Sequence, residues 1–263
     1  MPIALEFPQW AQILFIILGG ACVGSFLNVV IIRLPRNRSI VAPRSRTFPW
    51  RSPIPWHRNI PIWSYVVSLG RCLQSGLHYS PRYLIVEVLT PLLFLAIYMV
   101  HGWTMETLVY AIFTSCLIAG SFIDLDLRIL PDSLTLGAWA VALLMALFQA
   151  QGYPLNIWQA VFGSIVGYAS FWILSRGYFW LTGDEGLGGG DVKLMGFIGA
   201  VLGIEGVLIT VLVGSLTGAV VGLILMGIFR KGRRFPIPFG PFLAAGALVS
   251  VLELDLFSYW LVI

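Results

Sequence analysis

The sequence predicts an all-α polytopic membrane protein with about eight transmembrane helices and a small cytoplasmic loop subdomain after the first helix. Three observations carry that expectation. Of the 263 residues, 58% are apolar and only 11% are charged, a composition that calls for a bilayer as solvent. The apolar residues gather into runs near the length that crosses a hydrocarbon core, roughly 20 residues. All the Lys and Arg residues fall in or beside segments that alternation along the chain brings to one side.

The runs lie at 10 to 32, 83 to 100, 107 to 123, 133 to 150, 157 to 180, 192 to 204, 206 to 229 and 239 to 260. The sixth is short, which suits a half-span or a tilted helix, and the last is suited to dipping into the bilayer or to crossing it. The N-terminal stretch carries Glu6 and no Lys or Arg, so the basic region of a cleavable signal peptide is missing and the first helix is expected to stay in the mature protein. That helix runs into Arg33, Arg36 and Arg38, which predicts the N-terminus outside and the following loop in the cytoplasm.

Alternation from there makes 33 to 82, 124 to 132, about 176 to 191 and 230 to 238 cytoplasmic. Arg128, Arg176, Lys193, Arg230, Lys231, Arg233 and Arg234 fall in or beside these segments. The opposite side holds Glu6, His101, Glu106, Glu205, Glu253 and Asp255. The net charge of +4 therefore reports orientation and contact with anionic lipid, and no nucleic-acid partner is expected. Three divisions follow: a first transmembrane helix at 1 to 32, a basic loop subdomain at 33 to 82, and a transmembrane domain at 83 to 263. The loop is rich in Arg, Pro and Trp and has no Asp or Glu, and its prolines exclude a long helix. Cys22, Cys72 and Cys116 give no disulfide framework.

Chemistry is sought among carboxylates at membrane helices, because an ionised group in hydrocarbon is costly. Asp124 and Asp126 end the third run in IDLDLRILPD, and Asp191 opens the sixth after a glycine-rich stretch. Both clusters belong to the same membrane face. Asp132 suits an N-cap for the fourth helix, Asp191 suits either a cap or a reactive group, and Asp124 and Asp126 suit either a solvated helix end or a site. The pairing favours chemistry: two nearby carboxylates share a proton, so one can activate water while the other protonates a peptide carbonyl. No GxSxG elbow or HExxH motif is present, and His57, His78 and His101 are scattered.

Six ordered blocks then match a known family: GSFLNVVIIRLP at 24 to 35, NIPIWSY at 59 to 65, SPRY at 80 to 83 with Glu87 after it, IDLDLRILPD at 123 to 132, GLGGGDVKL at 186 to 194 and PFGPFLAAGA at 238 to 247. The sequence resembles the prepilin peptidases, aspartic leader peptidases of type IV pilus and type II secretion systems. The resemblance implies a catalytic pair at Asp124 and Asp191. It also implies removal of a short basic leader from type IV prepilins or pseudopilins at the cytoplasmic face of the inner membrane, followed by N-methylation with S-adenosylmethionine as donor. Asp126, Gly188, Gly190, Lys193 and Glu87 are expected to support the site or bind substrate, with Asp126, Asp184 and Glu185 available to a basic leader.

One departure bears on metal. Family members that hold a structural zinc carry two CxxC pairs in the first loop, and the matching positions here are Thr47, Trp50, Cys72 and Ser75. No zinc is expected, and the methyltransferase role of that region is left open. Three other readings stay beside the main one: a peptidase without methyltransferase activity, a transporter using Asp124 and Asp191 as ion carriers, and a membrane transferase holding Mg²⁺ on Asp124 and Asp126.

Overall fold

The computed structural model describes residues 8–42, 60–68, 71, 80–184, 186–227 and 237–261, with side chains of the last helix as far as residue 252. Every regular element among them is helical. The chain divides into two compact units, residues 1–107 and 108–263.

In the first unit, α1 (Gln9–Arg33) passes through a 3₁₀ turn (Leu34–Arg36), and a short α2 (Trp63–Val67) precedes α3 (Pro81–His101). Ser80 starts α3 by accepting a hydrogen bond from the Arg82 amide, with Pro81 in the first turn. α1 and α3 pack closely because α1 presents glycine: a Cβ on Gly20 would lie 2.6 Å from the Pro91 Cα, and one on Gly24 would lie 3.0 Å from the Glu87 Cα. Tyr98 closes the far end by donating to Gln12 at 2.7 Å.

In the second unit, α4 (Met105–Leu127, entering the unit at Leu108) is followed by a π-helical turn (Ser133–Gly137), α5 (Ala138–Leu147), α6 (Ile157–Thr182), α7 (Gly189–Gly227) and α8 (Gly240–Leu261). α6 opens with a capping box between Asn156 and Gln159. α7 is two limbs, because Gly203 at φ 68°, ψ −167° interrupts it. In a straight helix Met195 and Val207 would be roughly 18 Å apart. Here a Cβ on Gly167 would meet both the Met195 carbonyl and Val207 Cγ2. The chain therefore doubles back at Gly203. The first limb packs on α6 through Gly163 and Gly199, whose backbones touch, and the second packs on α8, with Thr210 against Gly246 and Gly214 against Phe242.

Small residues line these contacts while large apolar ones face outward: Leu208, Leu212, Leu216 and Leu223 on α7, and Trp158, Phe162 and Ile173 on α6, are exposed. That inside-out arrangement is what helices use when lipid surrounds them. Gln9–Arg36, α3, α4, α6 and α7 are long and apolar enough to cross a membrane, and Ser133–Leu147 and Gly240–Leu252 are shorter apolar helices. Counting α7 as two limbs gives eight apolar helices among the described residues, as expected. Three boundaries differ. The sixth and seventh runs join at a single broken residue with no loop, the fourth ends at Leu147, and the third continues to Leu127, so that Asp124 and Asp126 lie inside α4.

Candidate active site

α4 stops because Arg128 takes a left-handed conformation, φ 56°, and its amide donates to the Asp124 carbonyl at 2.8 Å. This is a common helix stop, with arginine in a place that glycine usually takes. The Asp124 side chain, one turn earlier, is buried at 6% exposure. Its Oδ2 accepts the Gly240 amide at 3.0 Å. Gly240 is the first residue of α8, so its amide has no partner within its own helix and Asp124 supplies one from α4. A Cβ on residue 240 would stand 2.8 Å from that oxygen, which leaves glycine as the residue that permits the approach.

Asp191 is the third residue of α7 and is buried at 9% exposure. Gly188, one residue before the helix, lies beside this carboxylate: a Cβ there would stand 3.3 Å from Asp191 Oδ2, and the Gly188 carbonyl accepts the Asp191 amide at 3.1 Å. Asp191 is also close enough to Asp124 for the two charges to act on one another. Two helix starts thus lie against two carboxylates, and the dipole of each start complements negative charge.

The segment after α4 is tied to the start of α7 at two points. Leu130 packs on Gly190, where a Cβ would be 2.9 Å from the Leu130 Cβ, and also reaches Gly120. Asp132 accepts a hydrogen bond from Lys193 Nζ at 2.6 Å. The expected capping by the Asp132 side chain is therefore corrected: the residue precedes the π-helical turn but makes no cap hydrogen bond, because its carboxylate is bound by Lys193. A cavity of about 340 Å³ opens at the start of α7, between Tyr168, Trp172, Arg176 and Phe179 of α6 and Val192 and Lys193 of α7.

Comparison with known proteins identifies the family. The model of the bacterial peptidase A24 N-terminal domain matches residues 18–101, and that of the type IV leader peptidase family matches residues 111–223. The prepilin leader peptidase/N-methyltransferase of Neisseria gonorrhoeae is 37% identical over 92% of this chain and 90% of its own. The chain belongs to the type IV leader peptidase family. Proteins of the same name from Aeromonas hydrophila, 36% identical over 95% of this chain and 94% of its own, and from Pseudomonas aeruginosa, 35% over 92% and 90%, are similarly close. No solved structure matches.

In this leader peptidase the structure brings together Asp124, Asp191, Gly188 and Gly190, with Lys193 turned to Asp132. Asp126 is exposed and lies two residues, roughly 200°, around α4 from the buried Asp124, so the two do not converge on one ion. Glu87 does a different job in the first unit: buried, it accepts the Ile62 amide at 2.8 Å and holds Ile62 at φ 63°, an uncommon conformation for a β-branched residue. Asp184 is exposed after the end of α6. Glu185 and the positions compared with the zinc ligands, Thr47, Trp50, Cys72 and Ser75, lie outside the described residues, as do His57 and His78.

Two contributors escaped the sequence reading, Gly240 and Leu130. Gly240 left one signal, the Gly-Pro pair of PFGP ahead of an apolar run, which marks a helix start. Leu130 left none, being one apolar residue among many.

Proposed function

We propose that this chain is an intramembrane aspartic endopeptidase that removes the leader of type IV prepilins or pseudopilins, with Asp124 and Asp191 as its catalytic pair. The observation that carries the assignment is the meeting of two buried carboxylates from different helices, each lying against a glycine at a helix start, with the Gly240 amide donating to Asp124. Two carboxylates in such proximity hold one proton between them, which divides the labour. The ionised partner draws a proton from water as the water attacks the peptide carbonyl, and the protonated partner donates to the carbonyl oxygen. The proton then passes to the leaving amine. No covalent intermediate is needed.

The site is assigned to the cytoplasmic face of the inner membrane. Support comes from the one-sided distribution of cations, with Arg128, Arg176 and Lys193 all near the two helix ends that carry the aspartates. Gly188 keeps the approach to Asp191 open for an extended chain while Gly190 receives Leu130, and Asp126 and Asp184, both exposed, offer negative charge to a basic leader.

The relatives' shared name includes N-methyltransferase, and methylation of the new N-terminus with S-adenosylmethionine as donor is proposed for this chain on that ground. When bound, the donor supplies an electrophilic methyl group. S-adenosylmethionine carries a sulfonium and an ammonium group beside its carboxylate, and the cavity between α6 and α7, whose charged residues Arg176 and Lys193 are both cations, gives the two positive groups no counter-charge. No step of the mechanism is routed through the donor.

The deciding experiment incubates the purified protein with a prepilin and reads product mass, which separates cleavage from methylation. Asp124→Asn and Asp191→Asn are each expected to lower cleavage by about a hundredfold or more while the protein still inserts and accumulates. Near-normal turnover by either variant would remove the assignment.

A further inference from the structure

The two aspartates reach each other from helices that are far apart in sequence, so something must set their separation. The Gly240 amide fixes Asp124 without fixing Asp191. Phe113 of α4 and Phe197 of α7 meet edge to face deeper in the unit, with ring centroids 5.2 Å apart, and the contacts that flank Asp191 itself lie in the run after Asp124. Leu130 seats on Gly190, immediately before Asp191, and Asp132 pairs with Lys193, two residues after it. Asp191 is thus straddled by two attachments to the same short segment. The left-handed turn at Arg128 and Pro131 shape that segment so that Leu130 points at Gly190 while Asp132 reaches Lys193.

We propose that Lys193 and Asp132 are positioning residues whose ion pair holds the start of α7 against the end of α4 and so keeps Asp191 at its working distance from Asp124. The inference rests on the aspartic-peptidase reading. It departs from a substrate-binding role for Lys193, because the ammonium group is already 2.6 Å from Asp132.

The pair is open to solvent, with Lys193 34% and Asp132 64% exposed, and exposed pairs add little to stability. Its effect is therefore expected in the rate and not in the melting temperature. A displacement of about 1 Å at a catalytic group can cost up to about a hundredfold in rate.

The test measures kcat and KM for cleavage of a prepilin by the full chain in detergent, for Lys193→Met, Asp132→Ala and the double variant. Each single change is expected to lower kcat about three- to fivefold, the most that an exposed ion pair can shift, with KM within about 1.5-fold. The double variant is expected to be no slower than the worse single, because both changes break one contact. Lys193→Arg, which preserves the charge and its donors, keeps most of kcat, and it supplies the comparison if Lys193→Met accumulates poorly. Wild-type kcat in either single variant, losses that multiply in the double, or a raised KM at unchanged kcat would each overturn the proposal. Cleavage by Asp124→Asn or Asp191→Asn would instead bring down the catalytic assignment. Inactive Asp variants beside a fully active Lys193→Met would bring down the positioning role alone.

Discussion

Asp124 depends on an amide from another helix, and Gly240 can give it only because residue 240 has no side chain. Gly240→Ala keeps the N–H but drives a methyl group toward the carboxylate oxygen, to 2.8 Å if nothing moves. It is expected to lower prepilin cleavage about ten- to a hundredfold, by displacing the acid and not by removing it. Gly177→Ala is the control, since nothing lies within 4 Å of its added methyl, and cleavage rates of the two variants at equal protein level make the comparison. The same contrast explains what the sequence could disclose at this scale. Asp124 and Asp191 are legible because charge is conspicuous in an apolar chain. A main-chain amide carries no side-chain signature, so the role of Gly240 becomes visible only when α8 is placed beside α4.

Between helices, the contact of α6 with the first limb of α7 is the closest in the second unit, and it is made by glycine on both sides. A Cβ on Gly199 would collide with the Gly163 carbonyl, and one on Gly163 with the Gly199 carbonyl. Gly199→Ala is therefore expected to force the helices apart, at about 1 to 3 kcal/mol by the usual cost of overpacking, measured by unfolding in detergent. Most of the helices can be found from sequence, since an apolar run of transmembrane length is a direct reading of lipid exposure. What hydropathy does not encode is direction. The runs at 192 to 204 and 206 to 229 give no sign that one residue, Gly203, reverses the chain between them, nor that the fourth run begins with a π-helical turn. Both depend on backbone angles, which apolar content does not report.

For the molecule as a whole, the second unit gathers its candidate catalytic carboxylates at one end of its helices, and α6 and α7 present large exposed apolar side chains along their length. How far that end stands from the opposite bilayer surface follows from the reversal at Gly203. Residues 189–202, at roughly 1.5 Å per residue, make a limb about 21 Å long, whereas the hydrocarbon core is about 30 Å thick. If the reversal lies near the far headgroups, Asp191 is left several ångströms below the near ones, and the bilayer must thin or admit water at that spot. Such hydrophobic mismatch has an energetic cost that varies with acyl-chain length. Peptidase activity in vesicles is accordingly expected to be highest in short-chain lipid and to fall as the chains lengthen at constant headgroup. An activity indifferent to chain length would mean that the short limb does not set the depth of the aspartates. On this view the membrane's thickness acts as a substrate-independent control on the enzyme, imposed by one glycine.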